Sequence, residues 1–244
     1  MKKNLNKGYI IGIDEVGRGP IAGPVAVCTF IIKDQGSLES SIKVALENKD
    51  ISKLKDSKKL SEKQREAWFS FLKKEKEKGI CNYVVSFVSN QSIDKFGIAK
   101  CIQKALDDSL MKITKSEVYN FGQTFINEKL FMRSSDERGG SGTRVFQKEL
   151  QDFVFNTRIY LDGGLHAPKE YTNQETIIKG DELYPVISMA SIMAKVMRDR
   201  VMIRYNKKYP EYGFENHKGY GTKAHYEAIK NLGKTKIHRK TFIH

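Results

Sequence analysis

Cysteine, tryptophan and proline are scarce, with 3, 1 and 5 copies in 244 residues. No run approaches the roughly 18 consecutive apolar residues of a transmembrane helix. Cys28, Cys81 and Cys101 lie far apart without C-x-x-C spacing, which argues against a thiol redox pair and makes them small core residues. The histidines show no tight zinc-ligand spacing, His217 and His225 being eight positions apart. The opening MKKNLNKGYIIGID is basic but has no apolar stretch of signal-peptide length. The expected setting is a reducing cytoplasm. Acid is the scarcer charge, 29 Asp and Glu against 43 Lys and Arg, for a net +14. Such a chain attracts polyanions. An acidic membrane surface would compete, but no basic amphipathic helix with a clean apolar face is evident to dock there. Nucleic acid is the expected partner.

The length suits one sizeable domain, large enough to bury roughly 70% of its unfolded surface. Its organising stretch is Tyr9 to Val27, YIIGIDEVGRGPIAGPVAV. Tyr9, Ile10, Ile11 and Ile13 are strand formers, so Asp14 and Glu15 arrive at the end of a core element. Ionised carboxylates there cost several kcal/mol unless a positive partner meets them. A bound cation is one answer. The bland alternative is a solvated turn, and the dipeptide recurs at Asp136-Glu137 and Asp181-Glu182. Gly17, Gly19 and Gly23 with Pro20 and Pro24 then make a turn whose backbone can approach a ligand closely. No Gly-Lys-Ser/Thr follows and the spacing is not G-x-G-x-x-G, so neither nucleotide-loop signature applies. Val25 to Ile32 reads as a second strand.

Residues 33 to 55 turn polar and read as an irregular or short helical excursion. Ser61 and Gln64 form a capping box before a helix with Trp68, Phe71 and Leu72 on one stripe and Gly79 as its stop. Asn82 to Val88 is a third strand. A helix follows from Ser89–Ser92 to about Ile113, with Ile98, Ile102, Leu106 and Leu110 as its buried stripe. TRIYLD, Thr157 to Asp162, is a fourth strand, again ending in an acid before Gly163 and Gly164. A helix follows, supported by Ala190, Ala194, Met197, Val201 and Tyr205 on one face, with Lys195, Arg198 and Asp199 read as a structural salt-bridge set. Tyr220, between Gly219 and Gly221, is exposed by its neighbours and suited to stacking on a sugar or base. Lys234, Lys236, Arg239 and Lys240 give the C-terminus a basic surface suited to a duplex backbone.

IDEVGRGPIAGPV resembles the opening motif of the ribonuclease HII family, enzymes that nick duplexes at ribonucleotides. KGDELYPVISMASIMAKVMRD is similar to the family's KGD motif and its SIAAASIxAKVxRD helix, Met189 standing where alanine is usual. DSK at Asp56 to Lys58, HKGYGT and IHR-x-x-F match further family signatures, and the likeness weakens only between residues 114 and 156. The resemblance implies an α/β, ribonuclease H-like mixed sheet of about five strands with helices on both faces. It further implies a catalytic domain over 1–205, with a probable insertion at 114–156, and a small basic helical segment over 206–244 that contacts nucleic acid. Asp14, Glu15, Asp162 and Asp181 would be the catalytic, metal-holding carboxylates. Their mutual repulsion calls for cations, and oxygen-only ligands favour two hard ions, Mn²⁺ or Mg²⁺. Gly17, Arg18 and Gly19 would read the ribose 2′-hydroxyl, Tyr220 the adjoining deoxyribose, and Ser57 and Lys58 the backbone. The implied substrates are RNA–DNA hybrids and DNA duplexes carrying ribonucleotides, nicked on the 5′ side by a single copy of the chain, with no membrane partner. A non-catalytic nucleic-acid-binding protein would share the charge but would not need four acids.

Overall fold

The computed structural model describes residues 8–54, 59–122 and 141–243. Strands β1 (Tyr9–Val16) and β2 (Val25–Ile32) run antiparallel around the glycine-rich turn, with Asp14 opposite Cys28. All eight residues of β2 are buried, as a strand covered on both faces requires. β3 (Cys81–Val88) pairs antiparallel with β2 on the far side. β4 (Thr157–Asp162) lies parallel to β1, and β5 (Gln174–Ile177) parallel to β4. The order β3-β2-β1-β4-β5 makes one mixed sheet, as expected from the sequence.

The helices are α1 (Gln35–Glu47), α2 (Glu62–Glu77), α3 (Asn90–Phe96), α4 (Ile98–Gly122), α5 (Ser141–Asn156), α6 (Gly180–Leu183), α7 (Pro185–Lys208), α8 (Phe214–His217) and α9 (Lys223–Leu232). Strand alternation divides them between the two faces. Ile11 and Ile13 of β1, with Ile159 and Leu161 of β4, pack on Ile102, Leu106 and Leu110 of α4 and Phe153 of α5. The opposite face carries Cys28 and Phe30 of β2 against Trp68 and Leu72 of α2 and Val186, Ile187 and Ala190 of α7. Asp14 shares the parity of Gly12 and so lies on the α7 side. There a Cβ on Gly12 would stand 2.3 Å from the Val186 carbonyl oxygen, so only a strand without a side chain at this point admits the start of α7. A third, smaller core joins Ala22 of the glycine-rich turn to Met202, Tyr212, Phe214 and Ile237. The C-terminal segment is therefore docked on the turn after β1. Cys28, Cys81 and Cys101 are buried free thiols.

Two local expectations are revised. The polar stretch after β2 forms the 13-residue helix α1, capped by Asp34 accepting from the Ser37 N–H at 3.0 Å. It buries Leu38 and Ala45 and packs the partly buried Ile42 and Leu46 on the same core, a stripe at helical spacing. The helix expected through Ile113 is two helices divided at Gly97, whose φ of 81° lies in the left-handed region, and the second runs on to Gly122. Of the segment expected as an insertion, 114–156, the described ends lie in α4 and α5. The Ser61–Gln64 capping box is present in both directions, at 2.9 and 3.2 Å. Among the described residues no helix is long and apolar enough to cross a membrane.

Candidate active site

Parallel pairing sets the level of the acids. Ile13 of β1 is in register with Leu161 of β4, so the next residues, Asp14 two positions short of the end of β1 and Asp162 at the end of β4, lie at the same height. Asp162 is in turn level with Ile177 at the end of β5, and the chain then turns at once into α6. Asp162 Oδ1 accepts from the Gly180 N–H at 2.7 Å, which brings Asp181 to the same edge. Asp14 and Asp181 are buried, whereas Glu15 and Asp162 are partly exposed.

The electrostatics are those of acids crowded out of water. Burial first, then the charges of Glu15, Asp162 and Asp181, hold the Asp14 carboxyl well above the usual carboxylate range, against a hydrogen bond from Ser191 that opposes the rise. Arg18 meets Glu15 at 3.2 Å but is itself well exposed. Among the described residues no three acidic, histidine or cysteine side chains are already closed into a ligand group. The donor set nevertheless fits a hard cation, since it is all oxygen, shares one edge and repels itself. An ion that keeps several waters needs no preformed cage.

Gly17, Arg18 and Gly19 follow β1, with Arg18 and Gly19 exposed and Gly17 buried at φ 92°. A Cβ on Gly17 would lie 2.3 Å from Arg198 Nε, so both the dihedral and the neighbour require glycine. Two fully buried arginines stand behind the turn. Arg198 donates to the carbonyls of Pro24, Ala22 and Lys218 at 2.9, 3.3 and 3.0 Å. Arg239 donates to Gly23, Arg18 and Gly17 at 2.9, 3.0 and 2.7 Å. These placements correct two sequence readings. Lys195 and Asp199 do pair, at 2.9 Å, but Arg198 serves backbone carbonyls. Arg239 belongs to no basic surface, although Lys234, Lys236 and Lys240 beside it are exposed.

Tyr220 is exposed on the loop between α8 and α9, and that loop is tied to the turn through the Ile21 and Ala22 N–H groups, which donate to the Gly219 carbonyl at 2.9 and 3.2 Å. Behind Tyr220 lies a relay of imidazoles. Thr235 N–H donates to His238 Nδ1 at 2.8 Å, so His238 carries its proton on Nε2 and donates it to His225 Nε2 at 3.0 Å. His225 Nδ1–H is then left to donate to the Tyr220 carbonyl at 2.8 Å. Every ring nitrogen of His225 and His238 is committed, which leaves neither for a metal. Burial, the largest cause, lowers His225 to about 4. The stability this gives is complete above the free imidazole value near 6.5 and is lost as pH falls toward about 4. Between pH 7 and pH 5 the relay should cost about 1 to 2 kcal/mol. The fall in melting temperature over that interval should shrink in His225→Asn, and an unchanged pH slope would show that the imidazoles do not carry it.

Ser57 and Lys58 lie outside the described residues. Ser191 and the two buried arginines were not identified from sequence as parts of the site. The buried Ser188 and Ser191, spaced i and i+3 on α7, were the available signal for a polar patch on an otherwise apolar helix face.

A five-stranded mixed sheet covered by helices, with acids level on adjacent parallel strands, is the ribonuclease H-like architecture. The solved PCNA:RNase HII complex from Archaeoglobus fulgidus contains a chain with this fold, at TM-score 0.57 and 22% identity over 97% of this chain and 96% of that one. The family model described as Ribonuclease HII matches residues 11–120 and 142–244. Ribonuclease HII of Clostridioides difficile strain 630 is 34% identical over 99% of this chain and 73% of its own length. That of Sulfurihydrogenibium sp. strain YO3AOP1 is 36% identical over 99% and 94%. The chain belongs to the ribonuclease HII family. It is accordingly a hydrolase, an endoribonuclease acting on RNA–DNA hybrids.

Proposed function

We propose that the protein nicks duplex DNA on the 5′ side of single embedded ribonucleotides, as well as cutting the RNA strand of hybrids, with two Mn²⁺ or Mg²⁺ ions held by Asp14, Glu15, Asp162 and Asp181. The observation that carries this is Asp14 itself, a buried carboxyl level with Asp162 and repelled by three other acids. Crowded acids of this kind are costly in the free protein and become ligands when cations arrive. When bound, two such ions supply the charge that activates a water and stabilises the leaving oxygen of an in-line displacement. The acids fix where that charge sits.

A water is needed because the ribose 2′-hydroxyl adjoins the phosphate on its 3′ side and cannot reach phosphorus on the 5′ side. Water adds to phosphorus, the bond to the upstream 3′ oxygen breaks, and the products are a 3′-hydroxyl and a 5′-phosphate. The backbone of Gly17, Arg18 and Gly19, exposed at Arg18 and Gly19, reads the 2′-hydroxyl, the group that marks RNA in a duplex. Tyr220 packs on the neighbouring deoxyribose. Ser57 and Lys58, with the exposed lysines of the 206–244 segment, hold backbone phosphates. Such an activity serves ribonucleotide removal from DNA in the cytoplasm, one chain acting alone.

The test is an end-labelled duplex carrying one ribonucleotide, incubated with Mg²⁺, Mn²⁺ or chelator beside an all-DNA duplex. The expected result is a metal-dependent nick immediately 5′ of the ribonucleotide and none in all-DNA. Cutting of long hybrids alone, with the single ribonucleotide ignored, would remove the finer part of the reading.

A further inference from the structure

We propose that Arg239 is a positioning residue that aims the Arg18 and Gly19 N–H groups outward, toward the 2′-hydroxyl, by gripping the opposite side of their peptide planes. The inference rests on the proposed role of the 17–19 turn as ribose reader. Its geometry comes from the peptide bond, which is planar and trans, so a carbonyl and the N–H that follows it point in opposite directions. Arg239 holds the Gly17 and Arg18 carbonyls from inside, at 2.7 and 3.0 Å. The N–H groups on the far side of those two planes belong to Arg18 and Gly19, the exposed residues of the turn. One guanidinium therefore orients two donors without touching anything they bind.

The grip is itself well anchored. Residues 237 and 239 are zipped to the turn by Gly23 N–H to the Ile237 carbonyl at 2.9 Å and Arg239 N–H to the Ile21 carbonyl at 2.8 Å. The third guanidinium bond goes to Gly23 at 2.9 Å, and the ring of Phe242 lies 5.2 Å from the guanidinium carbon. The cost of placing a cation here is visible in its lowered pKa, about 9, set by burial first and then by Arg198. A buried cation facing carbonyls instead of carboxylates is an expensive way to close a turn. A planar fork is the one side chain that can hold three carbonyls at fixed angles.

Lysine keeps the charge but reaches one carbonyl, so Arg239→Lys is the informative variant. Binding of a single-ribonucleotide duplex and of an all-DNA duplex is measured in chelator, where nothing is cut, beside a melting curve. The expected result is that the all-DNA dissociation constant stays within about twofold, while preference for the ribonucleotide duplex falls by about tenfold, the worth of one good hydrogen bond. Cleavage in Mg²⁺ should fall with that preference. Preference intact in a folded Arg239→Lys protein would overturn the proposal. So would an equal loss on both duplexes, or failure of the variant to fold, since either makes Arg239 a residue of the fold alone. No preference in the unsubstituted protein would instead remove the turn as ribose reader, and this inference with it.

Discussion

Asp14→Asn should lower cleavage by about three orders of magnitude or more while leaving duplex affinity within a few-fold. Metal ions at a phosphoryl centre contribute several kcal/mol of transition-state stabilisation, at about 1.4 kcal/mol per decade of rate. Asparagine keeps the shape and an acceptor oxygen, and so preserves the contact with the Glu15 N–H, 2.7 Å in the parent. It removes the charge. Because that charge is held against burial and three neighbouring acids, the variant should melt no lower than the parent in chelator. It should also lose most of the rise in melting temperature that Mn²⁺ gives the parent, since a ligand stabilises the folded state only as far as it binds. A variant that melts lower in chelator and responds normally to Mn²⁺ would make Asp14 a structural acceptor for Ser191 and Glu15.

How much of this was legible in the chain depends on how far each feature's causes extend along it. The ends of β1 and β4 were readable because the signal is contiguous: β-forming residues, then acid, then glycine. The capping box of α2 was readable for the same reason, its two partners being three residues apart. Helix α1 was read as an irregular or short helical excursion, since its stripe of Leu38, Ile42, Ala45 and Leu46 is set among polar residues and only two of the four are fully buried. The break at Gly97 was passed over because the stripe of Ile98, Ile102, Leu106 and Leu110 begins directly after it while the capping residues Ser89 to Ser92 stand before it, and glycine is tolerated within helices often enough to be read through. Arg239 was the least readable. Among Lys234, Lys236 and Lys240 it looks like one more surface base, and what buries it are the carbonyls of Gly17, Arg18 and Gly23, more than two hundred residues earlier. Arg198 was misread for a related reason. An acid next to it in sequence suggested a pair, whereas the helix turns its guanidinium toward the glycine-rich turn. Local motifs thus located the acids, but not the two side chains that stand behind the turn.

The most damaging small change should be at Gly12, which carries no chemistry. Alanine suits a strand better than glycine does, so propensity alone predicts a slight gain from Gly12→Ala. Packing predicts the reverse. The added Cβ would meet the carbonyl oxygen and carbon of Val186 at 2.3 and 2.4 Å and the Ile187 nitrogen at 2.8 Å, all backbone atoms in the first turn of α7. No rotamer relieves a clash with backbone, so the helix must move off the sheet. We expect a loss of about 3 kcal/mol, the upper end for overpacking, and a melting temperature lower by roughly 6 to 12 °C for a chain of this size. Gly36→Ala is the control, because a Cβ there meets only Asp34 Oδ1 at 3.7 Å and helix propensity should leave stability unchanged or slightly raised. Gly12→Ala melting within 2 °C of the parent would show that α7 can shift freely. That outcome would also weaken the account of the site, because α7 carries Ser191 against Asp14 and Arg198 against the turn. If the strand and helix are as closely seated as the geometry requires, cleavage by the surviving folded protein should fall too, since displacing α7 moves both supports at once.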